Sequence, residues 1–515
     1  MPVGTDDHDV IIIGGGHNAL VASAYLSRAG LDVLVLEARS VLGGAAESAQ
    51  IFPGVDARLS RFAYLVSLLP QSLVSELELD LDLRSRRVAS YTPFGKGGLL
   101  VERDPGPATR RSFHALTGGD AEWQRWRKLE AELAAMARLI APTLTEPLPR
   151  AATLSAQLDS DLWRALTDRP LGELLESALT DDTVRGVVLT DALIGTFTAA
   201  HDPTLRQNRC FLYHVIGNGT GEWKVPVGGM GAVAAELERA ARRSGAALRT
   251  GVPVTAIDPE PEGVRVRLGD GSWLRASYLL AGCAPATLSA LLGERAVRPE
   301  GSQTKINLVL QRLPELKSGL DPRDAFAGTL HLHQGYRRLE AAYAEAASGR
   351  IPDPMPCEVY CHTLTDPSIL SPRLRASGWH TLTLFALHTP ARLFADDPER
   401  AREQAKRAAL ASLQSVIREP LENCVARDVN KNLCIEVMSP LDIEREVAMP
   451  GGHIFHGDLA WPWLGDGAAV RTSAERWGVA TQHSRILLCG SGAVRGGAVS
   501  GLGGHNAAMA LLESR

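Results

Sequence analysis

The sequence of 515 residues has few of the features that mark secreted, membrane-spanning or disulfide-stabilised proteins. It contains only 7 cysteines, and their odd number and wide spacing do not suggest a disulfide framework, so we expect unpaired thiols in a reducing compartment. No apolar run approaches the roughly 20 residues that a membrane-spanning helix requires. The acidic segment Met1–Asp9 has the pattern of neither a secretory signal nor an Arg-rich transit peptide. These features predict a cytoplasmic protein.

An excess of positive charge is also missing. Lys and Arg number 54 against 59 Asp and Glu, and the net charge of −5 argues against nucleic acid as a partner. Cys357 and Cys361 are close in sequence, but no second Cys or His pair completes a zinc site, so we predict no metal. A hydrophobic fraction of 45% and a charged fraction of 22% are typical of a globular chain, and the length suits roughly two to four domains.

Glycine is abundant, and one group of glycines follows the first apolar run. Val10–Ile13 has the pattern of a strand buried on both faces of a parallel sheet. It leads into a G-x-G-x-x-A motif, Gly14-Gly15-Gly16-His17-Asn18-Ala19, which opens a helix of small residues that ends at Gly30. Leu31–Leu36 is predicted to be a second buried strand with Glu37 at its carboxyl end. This arrangement predicts a Rossmann-type dinucleotide-binding unit.

Each part of this motif has its own task in binding a dinucleotide. Gly14 permits the tight turn, Gly16 lets the backbone approach a pyrophosphate, and Ala19 lets helix and strand pack closely. The helix N-terminus offers free N–H groups. Glu37, 23 residues after Gly14, is placed to accept hydrogen bonds from ribose hydroxyls. His17 either contacts the pyrophosphate or caps the helix, and we expect the capping role.

A second glycine cluster lies near the other end of the chain. The predicted strand Ile486–Leu488 leads into a glycine-rich segment, residues 490–504, and then into a short apolar helix. So many glycines make a poor core, whereas a glycine-rich backbone between a strand and a helix can present N–H groups to a ligand. A flexible tail is the alternative, but Leu511 and its apolar neighbours need a packing partner. A glycine doublet, Gly43-Gly44, also follows the second predicted strand.

Together the motif, the doublet and the C-terminal cluster resemble the FAD-binding segments of the phytoene-desaturase-like and amine-oxidase superfamily. The resemblance covers nearly the whole chain and is greatest to the branch called pyridine nucleotide-disulphide oxidoreductase domain-containing protein 2. Further matching segments are residues 60–65, 214–217, 228–233, 304–307 and 450–456. The chain departs from the superfamily at Val41 and Ala45, where arginines are usual. It departs from the branch at Arg495 and near Val479, where a proline and an aromatic residue are expected.

The resemblance implies noncovalently bound FAD. In the family, the C-terminal glycine-rich segment holds the pyrimidine edge of the flavin ring. The cofactor-binding residues that the resemblance implies here are Gly14, Gly16, His17, Asn18, Ala19, Glu37, Ala38, Arg39, Gly43, Gly44, Ala45, Ser60, Val254, Gly490, Ser491, Val499 and Ser500.

The same resemblance implies an α/β fold with two interleaved domains. One is a Rossmann-type, glutathione-reductase-like FAD-binding domain, and the other is an α+β substrate domain with a mixed sheet and a helical cap. We predict residues 1–70, 223–298 and 483–515 for the FAD-binding domain. The substrate domain would comprise the cap region 71–222 and residues 299–482. Periodic apolar residues between 120 and 200 support the helical cap, alternation over 304–388 supports the mixed sheet, and Ala401–Ile417 is predicted to be an amphipathic helix.

Two other redox interpretations fail on the residues present. Gly228–Gly231 opens a helix, but Lys224–Val227 before it is too short and proline-broken for a buried strand, so we predict no second dinucleotide site. Val252–Ile257 instead fits the strand whose backbone meets the FAD adenine, followed by an antiparallel meander. A disulfide reductase needs two close cysteines in the N-terminal domain, whereas the first cysteine of this chain is Cys210.

The flavin would carry out the redox chemistry, and the protein would position and tune it. Lys305 is the first catalytic candidate, because relatives have at this place a lysine that holds a water against the flavin N5. The alternative is a surface lysine on an edge strand. His456 is a candidate general base, and a purely structural histidine is the alternative that we expect.

The resemblance implies an oxidoreductase of the desaturase or oxidase type. It would remove a hydride and a proton from a fairly apolar small molecule, and oxygen or a quinone would take the electrons. Two alternatives remain: a redox-neutral isomerase that uses reduced flavin, and a lipid-binding escort protein of the same fold without catalysis. The complete FAD motifs argue against the escort role. Peripheral membrane contact and the oligomeric state stay open.

Overall fold

The computed structural model describes residues 7–515, and its first sheet joins seven strands from three separate stretches of the chain. These strands are β1 (Asp7–Ile13), β2 (Val33–Glu37), β9 (Ala247–Thr250), β10 (Val254–Glu260), β11 (Gly263–Leu268), β12 (Trp273–Ala281) and β18 (Ile486–Leu488). They run in the order β10-β11-β12-β1-β2-β9, and β18 also pairs with β12.

The centre of this sheet is parallel and buried. β1 is parallel to both of its neighbours, β12 and β2, and β18 is parallel to β12. Val10, Ile11 and Ile12 are fully buried, which confirms the prediction from their continuous apolar run. β10, β11 and β12 form the predicted antiparallel meander. Three helices pack beside the sheet, with the first in contact with the other two: α1 (His17–Arg28), α10 (Met230–Arg243) and α18 (Leu502–Glu513).

The second sheet is mixed, as predicted. Its strands are β6 (Val88–Phe94), β7 (Gly97–Glu102), β13 (Thr304–Leu310), β14 (Thr329–Leu332), β15 (Cys357–Tyr360), β16 (His380–Ala386) and β17 (Ile435–Met438). They run in the order β17-β13-β16-β15-β14-β6-β7. Every neighbouring pair is antiparallel except β14 and β6.

The chain between β7 and β8 is helical, which confirms the predicted helical content of residues 120–200. The helices there are α3 (Pro107–Thr117), α4 (Ala121–Ile140), α5 (Ala151–Ser155), α6 (Ser160–Thr167), α7 (Leu171–Ala178), α8 (Asp182–Leu189) and α9 (Arg206–Ile216). Trp126, Leu129 and Leu133 on α4 are buried in one large apolar cluster with residues of α6 to α9. The domain boundaries given above stay a prediction.

Shorter elements complete the fold. The remaining helices are α2 (Gln71–Glu76), α11 (Pro285–Leu291), α12 (Pro322–Ala325), α13 (Tyr336–Ala347), α14 (Pro372–Ala376), α15 (Pro398–Val416), α16 (Pro440–Val447) and α17 (Ser473–Trp477). Two small strand pairs are β3 (Ser48–Ala49) with β4 (Leu59–Ser60), and β5 (Leu83–Arg84) with β8 (Val225–Pro226). Within residues 7–515, no helix is both long and apolar enough to cross a membrane. All seven cysteines are free thiols, as expected.

Several predicted boundaries differ by a few residues. The strand predicted over Val252–Ile257 runs from Val254 to Glu260, and β1 begins at Asp7 rather than Val10. Local hydrogen bonds explain two further differences. The second strand begins at Val33 rather than Leu31, because the Leu31 N–H still donates to the carbonyl of Leu26 at the end of α1. Helix α15 begins at Pro398 rather than Ala401, because the Asp397 side chain accepts from the Arg400 N–H and caps it.

Candidate active site

The turn between β1 and α1 has room for a ligand in front of the helix. Gly14 has φ +88° and its N–H donates to the carbonyl of Leu36 at 2.8 Å, so this turn requires glycine for its conformation. Gly16 is different, since its φ of −71° and ψ of 170° suit any residue. A Cβ on Gly16 would meet nothing within 4 Å. The chain's own packing therefore does not require glycine at 16, and the open space at the α1 N-terminus fits an approaching phosphate.

Glu37 is held in place beside this turn. Its side chain is only 9% exposed, Oε2 accepts from the Gly15 N–H at 2.6 Å and Oε1 from the Arg39 N–H at 2.8 Å. Each carboxylate oxygen keeps a further lone pair, so both can accept a ribose hydroxyl. The Val252 N–H donates to the Glu37 carbonyl at 2.9 Å, which brings the start of β10 at Val254 near the same carboxylate. Ala38 lies between Glu37 and Arg39.

Several buried polar atoms around the turn have no partner in the described chain. They are His17 Nε2, Asn18 Oδ1 and Arg39 Nη1. Buried polar groups are nearly always hydrogen-bonded, so these atoms are suited to a polar ligand. Together with the space at Gly16 and the carboxylate of Glu37, they fit a dinucleotide.

His17 does not cap α1, and this expectation is wrong. It is the first residue of the helix, with Gly16 as the N-cap, and no side chain caps this end. The His17 ring instead faces the backbone of Ala498, while Asn18 Nδ2 donates to the carbonyl of Gly496 at 3.2 Å. Tertiary packing thus joins the N-terminal motif to the C-terminal glycine cluster. Burial lowers the pKa of His17 to about 4, so the ring is neutral at pH 7.

The other glycine-rich segments lie against the same turn. The Gly43 N–H donates to the carbonyl of Gly15 at 2.8 Å, and a Cβ on Gly44 would lie 3.2 Å from the Cα of Gly16. In the C-terminal cluster, a Cβ on Gly490 would lie 2.5 Å from the carbonyl oxygen of Gly282. The Ser500 hydroxyl accepts from the Leu502 N–H at 3.2 Å at the start of α18. The doublet therefore lies against the turn itself, Gly490 lies against the residue that follows β12, and the Ser500 bond is local to the C-terminal cluster.

A cavity of about 160 Å³ lies between the first sheet's loops and the second sheet; we call it the central cavity. On one side it is lined by His17, Ala45, Ser491 and Val499, all of them predicted FAD contacts. On the other side lie Tyr64, Lys305, Tyr360 and Phe385. Apolar residues form much of the remaining wall, namely Phe62, Ala63, Leu65, Ile194, Ile443, Met449, Ile454 and Phe455.

Lys305 is buried at this cavity, so the alternative of a surface lysine on an edge strand is wrong. β13 lies between β16 and β17, and Lys305 is 1% exposed. Its Nζ donates to the carbonyls of Ser60 at 2.7 Å and Phe62 at 2.6 Å. Burial lowers its pKa to about 7. The tetrahedral amine has one more position, which suits a water or a ligand in the cavity.

Ser60 and His456 are placed differently from what their predicted roles suggest. The Ser60 hydroxyl accepts from the Met230 N–H at 3.0 Å and so helps to hold the start of α10. His456 lines a neighbouring cavity, which it shares with Ser491 and His453, and is not among the residues of the central cavity. Burial lowers its pKa to about 3, which makes it a weak proton acceptor at neutral pH. Its role as a general base stays a prediction.

A group of polar side chains that the sequence did not predict extends from the central cavity to a buried carboxylate. The rings of Tyr64 and Tyr360 pack against each other with their centroids 4.5 Å apart, and the Tyr360 hydroxyl donates to the carboxylate of Glu358. Thr190 donates to the other oxygen of Glu358 at 3.0 Å. The side chain of Glu358 is 2% exposed, and burial raises its pKa. The available signal was an acidic residue inside the otherwise apolar strand Cys357–Tyr360.

A second space, the cap cavity, adjoins the central cavity. It measures about 240 Å³ and is lined by the cap helices α4, α8 and α9 together with β6 and β7. The residues that line both cavities are Arg86, Asp191, His214, Trp223, Thr329 and His331. The two spaces therefore meet at a polar junction, although most of the central cavity wall is apolar.

The two departures from the branch pattern lie away from the central cavity. Arg495, with φ +70°, is 1% exposed and donates to the carbonyls of Leu144, Glu146 and Pro462. It thus ties the C-terminal cluster to the cap region. Val479 is fully buried and pairs its carbonyl with the Leu488 N–H at 2.8 Å. Neither residue lines the central cavity.

Comparison with known proteins gives a family match and full-length relatives. A family model described as flavin containing amine oxidoreductase matches residues 20–314. An uncharacterised protein of Mycobacterium tuberculosis is 47% identical over 524 residues, covering 98% of this chain and 97% of its own. The pyridine nucleotide-disulfide oxidoreductase domain-containing protein 2 of Mus musculus is 30% identical over 563 residues, covering 98% of this chain and 94% of its own.

Solved structures show the same fold at low sequence identity. A putrescine oxidase bound to putrescine superposes with a TM-score of 0.62 and 18% identity, covering 99% of both chains. Cyclohexylamine oxidase from Brevibacterium oxydans gives a TM-score of 0.59 and 17% identity, covering 99% of this chain and 100% of its own. At such identities, the likeness supports the fold and not a shared substrate.

Proposed function

The chain belongs to the flavin-containing amine oxidoreductase family and is an FAD-dependent oxidoreductase, and on that premise we propose that it removes a hydride and a proton from neighbouring atoms of a fairly apolar small molecule. Oxygen or a quinone takes the electrons. The observation that carries this proposal is the central cavity, whose largely apolar walls adjoin the predicted FAD contacts Ala45, Ser491 and Val499.

The residues present divide the work between holding the cofactor and moving a proton. Bound FAD supplies the hydride acceptor. The α1 N-terminus at Gly16 and the carboxylate of Glu37 hold its nucleotide part, without a covalent link. The apolar residues of the central cavity exclude water from the substrate, which strengthens the electrostatic interactions within the site.

Glu358 is the proton acceptor in this proposal. A proton leaving the substrate passes to the Tyr64 hydroxyl as Tyr64 passes its own proton to Tyr360, and Tyr360 passes its proton to Glu358. The support is the contact between the Tyr64 and Tyr360 rings and the hydrogen bond from Tyr360 to Glu358. Burial raises the pKa of Glu358, so its carboxylate is a stronger base than an exposed one.

The first test is the cofactor itself. The purified protein should be yellow, and acid precipitation should release its flavin into the supernatant. A colourless protein that takes up no added FAD contradicts the proposal. In an anaerobic cuvette, NADH and NADPH should bleach the bound flavin no faster than they bleach free FAD, because no second dinucleotide site is predicted.

The second test follows reduction of the flavin by a panel of apolar small molecules under anaerobic conditions. One class of compound should bleach the flavin rapidly and with saturation. Glu358→Gln should then slow this bleaching by about 100-fold or more at unchanged FAD content, since a positioned base contributes typically 10²–10⁴-fold. Rapid saturable bleaching by NADPH would overturn the proposal. Turnover without any oxidant would favour the isomerase alternative.

A further inference from the structure

Arg86 carries a charge that the described chain does not pair. It lies between β5 and β6, and its side chain lines both the central cavity and the cap cavity. Its one hydrogen bond goes from Nη1 to the Thr329 hydroxyl at 3.2 Å, and it forms no salt bridge with any residue from 7 to 515. Burial lowers its pKa, but a guanidinium stays charged in proteins. The junction of the cavities therefore contains an unpaired cation.

Other arginines of this region do find carboxylates. The neighbouring Arg87 forms a salt bridge with Asp324, and Arg61 binds Glu436 and Glu446, each at 2.8 Å. Arg86 is half-buried at the two cavities, where a charge gains from pairing, and four of its five guanidinium N–H groups have no acceptor in the described chain. The contrast indicates that the partner of Arg86 comes from outside the chain.

The acidic residues nearby do not fill this role. Both oxygens of Glu358 are engaged by the hydroxyls of Thr190 and Tyr360. Asp191 lines both cavities, and burial raises its pKa to about 8, so at pH 7 most of it is protonated and able to donate a hydrogen bond. An anion at the junction would thus meet one permanent cation and a neutral carboxyl donor.

We propose that Arg86 binds the carboxylate of the substrate, so that the molecule oxidised in the central cavity is an apolar carboxylic acid. This inference rests on the proposed function for its substrate site. The planar guanidinium offers two parallel N–H groups to a carboxylate. Its Cζ lies 5.6 Å from the centroid of the Tyr360 ring, so a carboxylate bound there lies close to the proton-accepting chain. The apolar part of the substrate fills the central cavity.

The test compares three probes of equal chain length, namely octanoate, octanol and octylamine. Each is titrated into the FAD-loaded protein, and binding is followed by the change in the flavin absorbance and by calorimetry. Octanoate should bind at least about tenfold more tightly than octanol. Arg86→Met should weaken octanoate binding by about 10- to 150-fold and leave octanol binding unchanged, because a charge-assisted hydrogen bond is lost. Arg86→Lys keeps the charge but not the paired N–H geometry, so it should lose an intermediate amount.

Arg87→Met is the matched control, since it removes the adjacent arginine, which is exposed and already paired with Asp324. It should leave all three affinities unchanged. Equal binding of octanoate and octanol, no binding of octanoate, or tighter binding of octylamine would each overturn the proposal. If Arg86→Met does not fold, the wild-type preference and Arg86→Lys still decide the question. The binding measurement needs no turnover. An enzyme that oxidises an apolar compound without preferring octanoate would therefore refute the role of Arg86 and leave the proposed function unaffected.

Discussion

The two ends of the active site are built in different ways. At the nucleotide end, consecutive residues from Gly14 to Ala19 and the end of the next strand supply backbone N–H groups, open space and one carboxylate. At the central cavity, isolated side chains such as Tyr64, Lys305 and Glu358 come from distant segments. The comparison teaches that the first end is local and serves any FAD protein of this fold. The second end depends on long-range packing and decides what is oxidised.

If the nucleotide end is built locally in this way, the largest effect on FAD binding should come from Gly16→Val. The backbone conformation of Gly16 accepts any residue and a Cβ meets nothing within 4 Å, so the variant should fold. The added side chain occupies the space in front of α1, and FAD affinity should fall by at least about 100-fold, or about 2.7 kcal/mol. Equilibrium dialysis of the apoprotein with FAD measures this.

Gly119→Val is the control for that variant. Gly119 also has open space at its Cβ, but it lies between α3 and α4 on the cap. It should bind FAD like the wild type. Unchanged FAD affinity in Gly16→Val would show that the pyrophosphate does not lie at this helix end.

Glu37→Ala should have the next largest effect at the nucleotide end. It removes an acceptor that is charged and buried, which costs about 1.5–3 kcal/mol, so FAD binding should weaken by about 10- to 150-fold. Glu37→Gln keeps one carbonyl oxygen as an acceptor and should lose less. The same dialysis checks both, and Glu262→Ala, at an exposed position in the turn between β10 and β11, is the control that should bind FAD like the wild type. Wild-type affinity in Glu37→Ala would mean that the ribose lies elsewhere.

Lys305→Met should affect turnover more than FAD binding. Its Nζ holds the carbonyls of Ser60 and Phe62 and has one position left at the cavity. We expect reoxidation of the reduced flavin to slow by about tenfold, in line with the loss of a charge-assisted hydrogen bond, and reduction to slow less. Stopped-flow absorbance measures the two half-reactions separately.

Lys317→Met is the matched control, because Lys317 also donates to a backbone carbonyl, that of Ser415, but on the surface. It should leave both half-reactions unchanged. Equal slowing of reduction and reoxidation in Lys305→Met would show that Lys305 acts only by holding the segment from Ser60 to Phe62.

The smallest effect on activity is expected from Asp191→Asn. This variant tests the protonation state of Asp191 through the free energy of unfolding. Burial raises the pKa of Asp191 to about 8 in the folded protein, from 3.8. The folded wild type therefore binds more protons than the unfolded chain between about pH 4 and pH 8, and its stability falls with rising pH in that window. The variant does not titrate there. The free energy of unfolding of the variant, relative to that of the wild type, should rise by at least about 1.4 kcal/mol across the window and then level off. This amount is the value of one pKa unit.

Urea unfolding at several pH values measures this difference, and Asp161→Asn, an exposed change on the cap, is the control. A pH-independent difference between Asp191→Asn and the wild type would show that Asp191 ionises normally. That result would also weaken the argument that Arg86 needs a partner from outside the chain, since an ionised Asp191 would neutralise the junction.

By itself, the sequence determined the nucleotide end and the class of fold. Strand, glycine turn, helix and terminal acid follow one another within a few dozen residues, so local periodicity and turn chemistry suffice to identify them. The mixed sheet and the helical cap were also predictable, because their apolar patterns are local. The helix start at Pro398 was missed although Asp397 supplied a local capping signal.

Only the tertiary structure decided how the side chains meet. It turned His17 toward Ala498 instead of the helix end, buried Lys305 on a central strand, and brought Tyr64, Tyr360 and Glu358 together. It also left Arg86 unpaired between two cavities. Such contacts join residues far apart in the chain, and they depend on how the second sheet and the cap pack against the first sheet's loops. The periodicity of a single segment shows which of its faces is buried, but the residue that faces it from another segment is set by packing.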